Sequence, residues 1–257
     1  SFFLSLGGER VRVDVDADPR CLLLLKPLNL SPRGASGPPD LELTWSDGRG
    51  LLRDGGRVVH RSRSREDLVL WCEWLATREA LRRLRPRVAL LHAAWVARGT
   101  SGILIAGRHG SGKTSLGAAL ALRRGWTLYG DDVTLLRQDG RLQPLERPLR
   151  IKPGSSRRLP ELRAGRRIGL VPIARFSRPG SARLRAIVFL EGTRGGLKRR
   201  RLSPGLATAR LAKLTMNFRE DSKRILGALA AMTGKADAVA IRGGSIEDRC
   251  DLLESLL

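Results

Sequence analysis

The chain has 257 residues, with 48 Lys and Arg against 25 Asp and Glu, a formal charge of +23 with neutral His. At 42% hydrophobic and 28% charged residues, it has material for a sizeable core and is neither disordered nor collagen-like. No apolar run approaches the roughly 20 residues that cross a bilayer, and Leu22–Leu25 is the longest aliphatic stretch near the start, so the expectation is a cytoplasmic protein with no membrane role.

The first sixty residues alternate at the strand period, in Phe3–Leu6 and Val11–Val15 around Gly7-Gly8, then in Leu41–Trp45 and Arg57–His60. This pattern predicts an N-terminal antiparallel β meander, with Ser31–Asp40, rich in Pro, Gly and Ser, as a loop. From Arg65 to Leu84 the apolar residues recur at helical spacing, and Pro86 ends the segment. Residues 1–86 therefore read as a β-rich region with a connecting helix, and 87–257 as an α/β core.

In that core, Val88–Ala97 reads as one strand and Ile103–Ala106 as a second, running into a Gly-rich loop and a helix from Lys113 to Arg124 closed by Gly125. Trp126–Gly130 is the next strand and ends at Asp131-Asp132; Asp139-Gly140 is a hairpin turn between 133–136 and 141–145. Ala186–Leu190 is a further core strand. Helices over Pro204–Leu214 and Asp221–Met232, a strand over Ala236–Ile241 and a helix from a Ser245–Asp248 capping box complete the chain.

Cys21, Cys72 and Cys250 are odd in number and far apart, which reads as buried thiols rather than a disulfide frame or zinc site. The positive charge raises the question of nucleic acid. Against it stands the 4% aromatic content, and the dominance of Arg over Lys reflects a GC-rich genome as easily as selection for a polyanion. An acidic peptide or protein suits the charge better.

The strongest pattern is Gly107-Arg108-His109-Gly110-Ser111-Gly112-Lys113-Thr114, a complete G-x-x-x-x-G-K-[ST] between an apolar strand and an amphipathic helix. Its backbone N–H groups and the helix N-terminus would converge on a polyphosphate, contacted also by Ser115. Lys113 would bridge the β- and γ-phosphates, and the Thr114 hydroxyl would hold Mg²⁺. Asp131 and Asp132 follow at the end of the next strand, where one carboxylate can organise Mg²⁺ and the other accept a proton. The residues leave open which does which. His92, alone on an apolar strand, is on base rates a core residue.

Taken together, His92–Val96, Gly107–Thr114 and Arg124–Asp132 resemble, in order and spacing, the HPr kinase/phosphorylase family and its wider set of HPr-kinase-like proteins. Ala186–Glu191, Arg201-Leu202 and Met216–Arg219 resemble later stretches of that family more faintly. The resemblance implies a P-loop core of the HPr-kinase/PEP-carboxykinase type and a site of His92, Lys113, Asp131, Asp132 and Arg201, with Thr114 and Asp131 toward the metal. It implies ATP and Mg²⁺, transfer to a serine of a peptide or protein, and a homo-oligomer. His109 stands where the family usually has Ser, Arg200 precedes Arg201 in place of Asp, and Leu145–Leu149 only echoes the family's metal-binding signature. With no counterpart of the phosphorolysis loop, the expectation is a kinase without the reverse reaction, similar to those that phosphorylate ribosomal natural-product (lasso) precursor peptides. An HPr protein kinase and a nucleic-acid-binding P-loop ATPase are the alternatives.

Overall fold

A computed structural model describes residues 1–28, 30–32, 38–145, 147–151, 159, 169–171 and 182–257. The protein is mixed α/β, with six helices among the described residues. It divides into two compact units: residues 1–84 with 146–148 and 170–172, and the remainder of the chain.

The first unit contains β1 (Phe2–Leu6), β2 (Glu9–Asp16), α1 (Pro19–Leu25), β3 (Leu30–Pro32), β4 (Leu41–Ser46), β5 (Arg49–Asp54), β6 (Arg57–Ser62) and α2 (Arg65–Leu84). Its six strands run β3-β1-β2-β4-β5-β6. Gly7 and Gly8, at φ 57° and 86°, form the turn that lets β1 and β2 pair in antiparallel register. The expected all-antiparallel meander is corrected here, because β4 runs parallel to β2. Parallel neighbours need a crossover, and α1 lies within it. That helix escaped the sequence reading although its signals are local: Asp18 accepts from the Cys21 N–H as N-cap, and Pro19 takes the first turn. One sheet face buries Leu4, Leu6, Val11, Val13, Leu43 and Leu52, and α2 packs against the sheet with Leu68, Cys72, Leu75 and Ala76 buried. Residues 33–37 of the expected Pro/Gly loop lie outside the described residues, and 31–32 belong to β3.

The second unit begins with β7 (Ala89–Leu91), β8 (Ala93–Arg98), β9 (Ser101–Gly107), α3 (Lys113–Arg124), β10 (Thr127–Gly130), β11 (Thr134–Leu136) and β12 (Leu142–Gln143). After the short strand β13 (Leu149–Ile151), and past β14 (Gly169–Val171), whose residues 170 and 171 belong to the first unit, come β15 (Arg183–Gly192), β16 (Lys198–Leu202), α4 (Pro204–Lys213), α5 (Ser222–Thr233), β17 (Asp237–Arg242) and α6 (Ile246–Glu254). Its main sheet runs β10-β8-β9-β15-β17-β16. β9, β15 and β17 are parallel, while β8, β10 and β16 are antiparallel to their neighbours. Trp95, Leu104, Ile187 and Phe189 form one core with Leu211 of α4 and Ile225 and Leu229 of α5. The alternate residues Val96 and Ala94 meet α3 at Gly117. No described helix is long and apolar enough to cross a membrane.

The expected single strand over Val88–Ala97 is two strands broken at His92. β7 leaves the main sheet for a small sheet ordered β12-β11-β7. Buried Asn217 holds it there: its Oδ1 accepts from Leu90 N at 2.9 Å and its Nδ2 donates to Val88 O at 3.0 Å. The His92 N–H donates to Leu214 O at 2.9 Å, so the backbone turns at that residue without losing its hydrogen bond.

Candidate phosphate-loop site

Three chain breaks converge at one end of the main sheet, and register alone explains why. β9 ends at Gly107; its neighbour β8 runs the other way with Ala93 opposite Ala106, which puts His92 beside the loop. β10 pairs next to β8 with Gly130 opposite Trp95, so the chain leaves the sheet there as Asp131-Asp132.

Each glycine of the loop has its own requirement. Gly110 and Gly112 lie at φ 77° and 96°, where a side chain is strained. A Cβ on Gly107 would stand 2.7 Å from Ser111 Oγ and 3.0 Å from Leu190 O, so that position closes the loop onto β15. The Ser111 hydroxyl is buried with no hydrogen-bond partner, and Arg108 and His109 are exposed on the loop.

Lys113 is buried, and its ammonium is fully engaged. It donates to Gly107 O at 2.9 Å and Arg108 O at 3.1 Å, and faces His92 Nε2 at 2.8 Å. Burial lowers the Lys113 pKa from the ordinary value, against the pull of Asp132 and Asp131. Burial and then the Lys113 charge lower that of His92 too, outweighing Asp132. The favoured arrangement is therefore a neutral imidazole accepting at Nε2, with Nδ1 toward Asp132 Oδ1, 3.8 Å away.

The two aspartates differ. Asp131 is buried and its Oδ2 accepts from the Thr114 hydroxyl at 2.9 Å. Asp132, with a 43% exposed side chain, sits at φ 65° while Val133 N–H bonds back to Asp131 O at 2.7 Å. This is a γ-turn centred on a non-glycine residue, a strained geometry that costs about 1–2 kcal/mol. Such strain concentrates at functional sites.

Thr114 and Asp131 supply hard oxygen donors of the kind that suit Mg²⁺, an ion that takes most of its shell from water and phosphate. Among the described residues no group of three or more His, Cys, Asp or Glu converges on a metal position. All three thiols are free and buried, and burial pushes Cys72 up to about 12.

Arg201 does not join the cluster, and the expectation that it lines the site is corrected. In the paired register Gly107 is level with Leu190, Ile241 and then Arg199, three strands away, about 14 Å at the usual strand spacing. Arg201 lies two residues further down the edge strand, exposed and paired with Asp237 at 3.2 Å. Glu146, in the Leu145–Leu149 stretch, lies outside the described residues.

A different arginine comes close. Arg249 of α6 is buried, donating from Nε to Gly243 O at 2.8 Å and from Nη2 to Gly192 O at 2.5 Å. With Gly112, Ser115, Leu116, Ser245 and Ile246 it lines a cleft of about 360 Å³, within the size range of small-molecule pockets. The Ser245–Asp248 capping box was legible; that α6 packs beside α3 was not.

No protein-family model and no curated protein matches this chain.

Proposed function

We propose that this chain is an ATP- and Mg²⁺-dependent kinase with a P-loop core of the HPr-kinase type, transferring the γ-phosphate to a serine hydroxyl of a peptide or protein. A ribosomal natural-product (lasso) precursor peptide is the preferred substrate. The observation that carries this reading is the meeting of Lys113, His92, Asp132 and the Thr114–Asp131 pair at one glycine-rich loop.

The loop N–H groups and the α3 N-terminus would hold the phosphates, with the nucleoside toward the Arg249 cleft. Lys113 would exchange its two carbonyl acceptors for phosphate oxygens. Thr114 and Asp131 would hold Mg²⁺, which offsets phosphate charge when bound. Asp132 suits the base, because it is exposed while the Asp131 carboxylate is turned to Thr114. It would take the serine proton as the serine oxygen bonds to the γ-phosphorus. The bond from that phosphorus to the β–γ bridging oxygen breaks, and ADP carries the oxygen away. His92, neutral between Lys113 and Asp132, would keep the two oppositely charged groups apart and aligned.

The test is intact-mass analysis after incubation with ATP, Mg²⁺, a panel of Ser-ended peptides and HPr, with Lys113→Ala as control. One phosphate gained by a peptide, and not with the variant, is expected. Gain on HPr alone would replace the peptide substrate by that protein, and ATP hydrolysis with no transfer would overturn the kinase.

A further inference from the structure

The first unit carries an open sheet edge of unusual make-up. β6 pairs with β5 on one side only, and among the described residues no strand covers its other side. Val58 and Val59 are 40% and 43% exposed. A row of unpaired backbone groups of this kind is a template for another strand, which proteins commonly protect with charge or a bulge. A register shift is indeed present between Leu52 and Arg53.

Protection does not account for the aromatic rings along the same edge. His60 of β6 stacks on Trp71 at 4.6 Å and bonds Asp67 through Nε2 at 2.7 Å. Trp71 meets Trp74 edge-to-face at 5.2 Å, and the two are 37% and 39% exposed. The pleat sends the neighbouring Arg61 to the opposite face. There Arg49, Leu51, Arg61 and Arg63 line an open cleft of about 760 Å³ with Asp47 as its carboxylate. Among the described residues Arg49, Arg61 and Arg63 have no ion-pair partner, whereas the nearby acids Asp54 and Asp67 are engaged with Arg78 and His60.

We propose that β6 is a docking edge for an extended acidic peptide, which adds as a strand with apolar side chains on Trp71 and Trp74 and carboxylates toward Arg49, Arg61 and Arg63. Backbone pairing supplies affinity and the two faces supply selectivity for alternating acidic and apolar residues. Binding here requires neither nucleotide nor transfer, so it stands or falls apart from the kinase reading.

The test titrates the intact chain, without nucleotide, with a short peptide of alternating Glu and Val, read by tryptophan fluorescence and calorimetry. Saturable binding is expected. It should weaken at least about tenfold, a 1.4 kcal/mol change, for the same residues in two blocks, for a peptide N-methylated at alternate residues, and for Arg61→Glu/Arg63→Glu; those side chains are exposed, and circular dichroism checks the fold. Equal binding of the blocked peptide would reduce the edge to a polyanion sink and overturn the proposal. So would absence of binding, or a dimer that the peptide dissociates, which would make a second copy of the chain the occupant.

Discussion

In the first unit Glu73, fully buried, meets Arg147 Nε at 2.7 Å and the Thr77 hydroxyl at 3.0 Å. In the second unit buried Lys113 is held by two loop carbonyls and a neutral imidazole, not by a carboxylate. The first cluster is closed, because opposite charges satisfy one another in place. The second is open: its cation leans on acceptors that a phosphate can replace, its Asp132 faces solvent at a strained φ, and its Ser111 hydroxyl is unpaired. Buried charge that is matched internally specifies structure, and buried charge held provisionally is available for chemistry.

Five variants, one of them double, probe this difference. The largest effect belongs to Lys113→Ala, which should lower transfer by roughly 10³-fold or more with little change in thermal stability, since the carbonyls it vacates border the loop. Transfer assays and calorimetry on the same preparation check both halves. Glu73→Ala should do the opposite, costing about 3–5 kcal/mol by leaving Arg147 without its carboxylate, while nucleotide binding persists in whatever fraction folds. The double variant Glu73→Leu/Arg147→Met should recover most of that loss in denaturant titrations.

His92 gives a smaller, pH-dependent effect. Burial and Lys113 hold its pKa below the ordinary 6.5, so the unfolded chain binds this proton more readily than the folded one. Stability from this residue is then intact above about pH 6.5 and is lost as pH falls below it. His92→Gln should narrow the difference in melting temperature between about pH 8 and about pH 5.5. Arg201→Ala should do least, changing stability by no more than about 0.5 kcal/mol and leaving transfer unchanged. A large loss of transfer there would return Arg201 to the site.

The glycine-rich loop was legible because every requirement is local: three glycines, a lysine and a threonine between an apolar strand and a helix. The adjacency of Asp131-Asp132 was legible for the same reason. The break at His92 was not, because it depends on Asn217 and Leu214, more than a hundred residues away, which draw β7 out of the main sheet. Arg201 was misplaced because the level of an edge strand against the loop is a matter of register, which its own sequence does not carry. Arg249 was missed because its place beside Gly112 follows from the packing of α6 on α3. The parallel pairing of β2 and β4 was hidden in the crossover that holds α1.

The most direct measurement is ATP binding and serine transfer by Asp132→Asn, determined side by side. Binding should stay within about threefold of the native chain while transfer falls by roughly 10²-fold or more, the share a positioned base contributes. Binding and transfer that fall together, or transfer that survives intact, would contradict the assignment of this cluster as the seat of phosphoryl transfer.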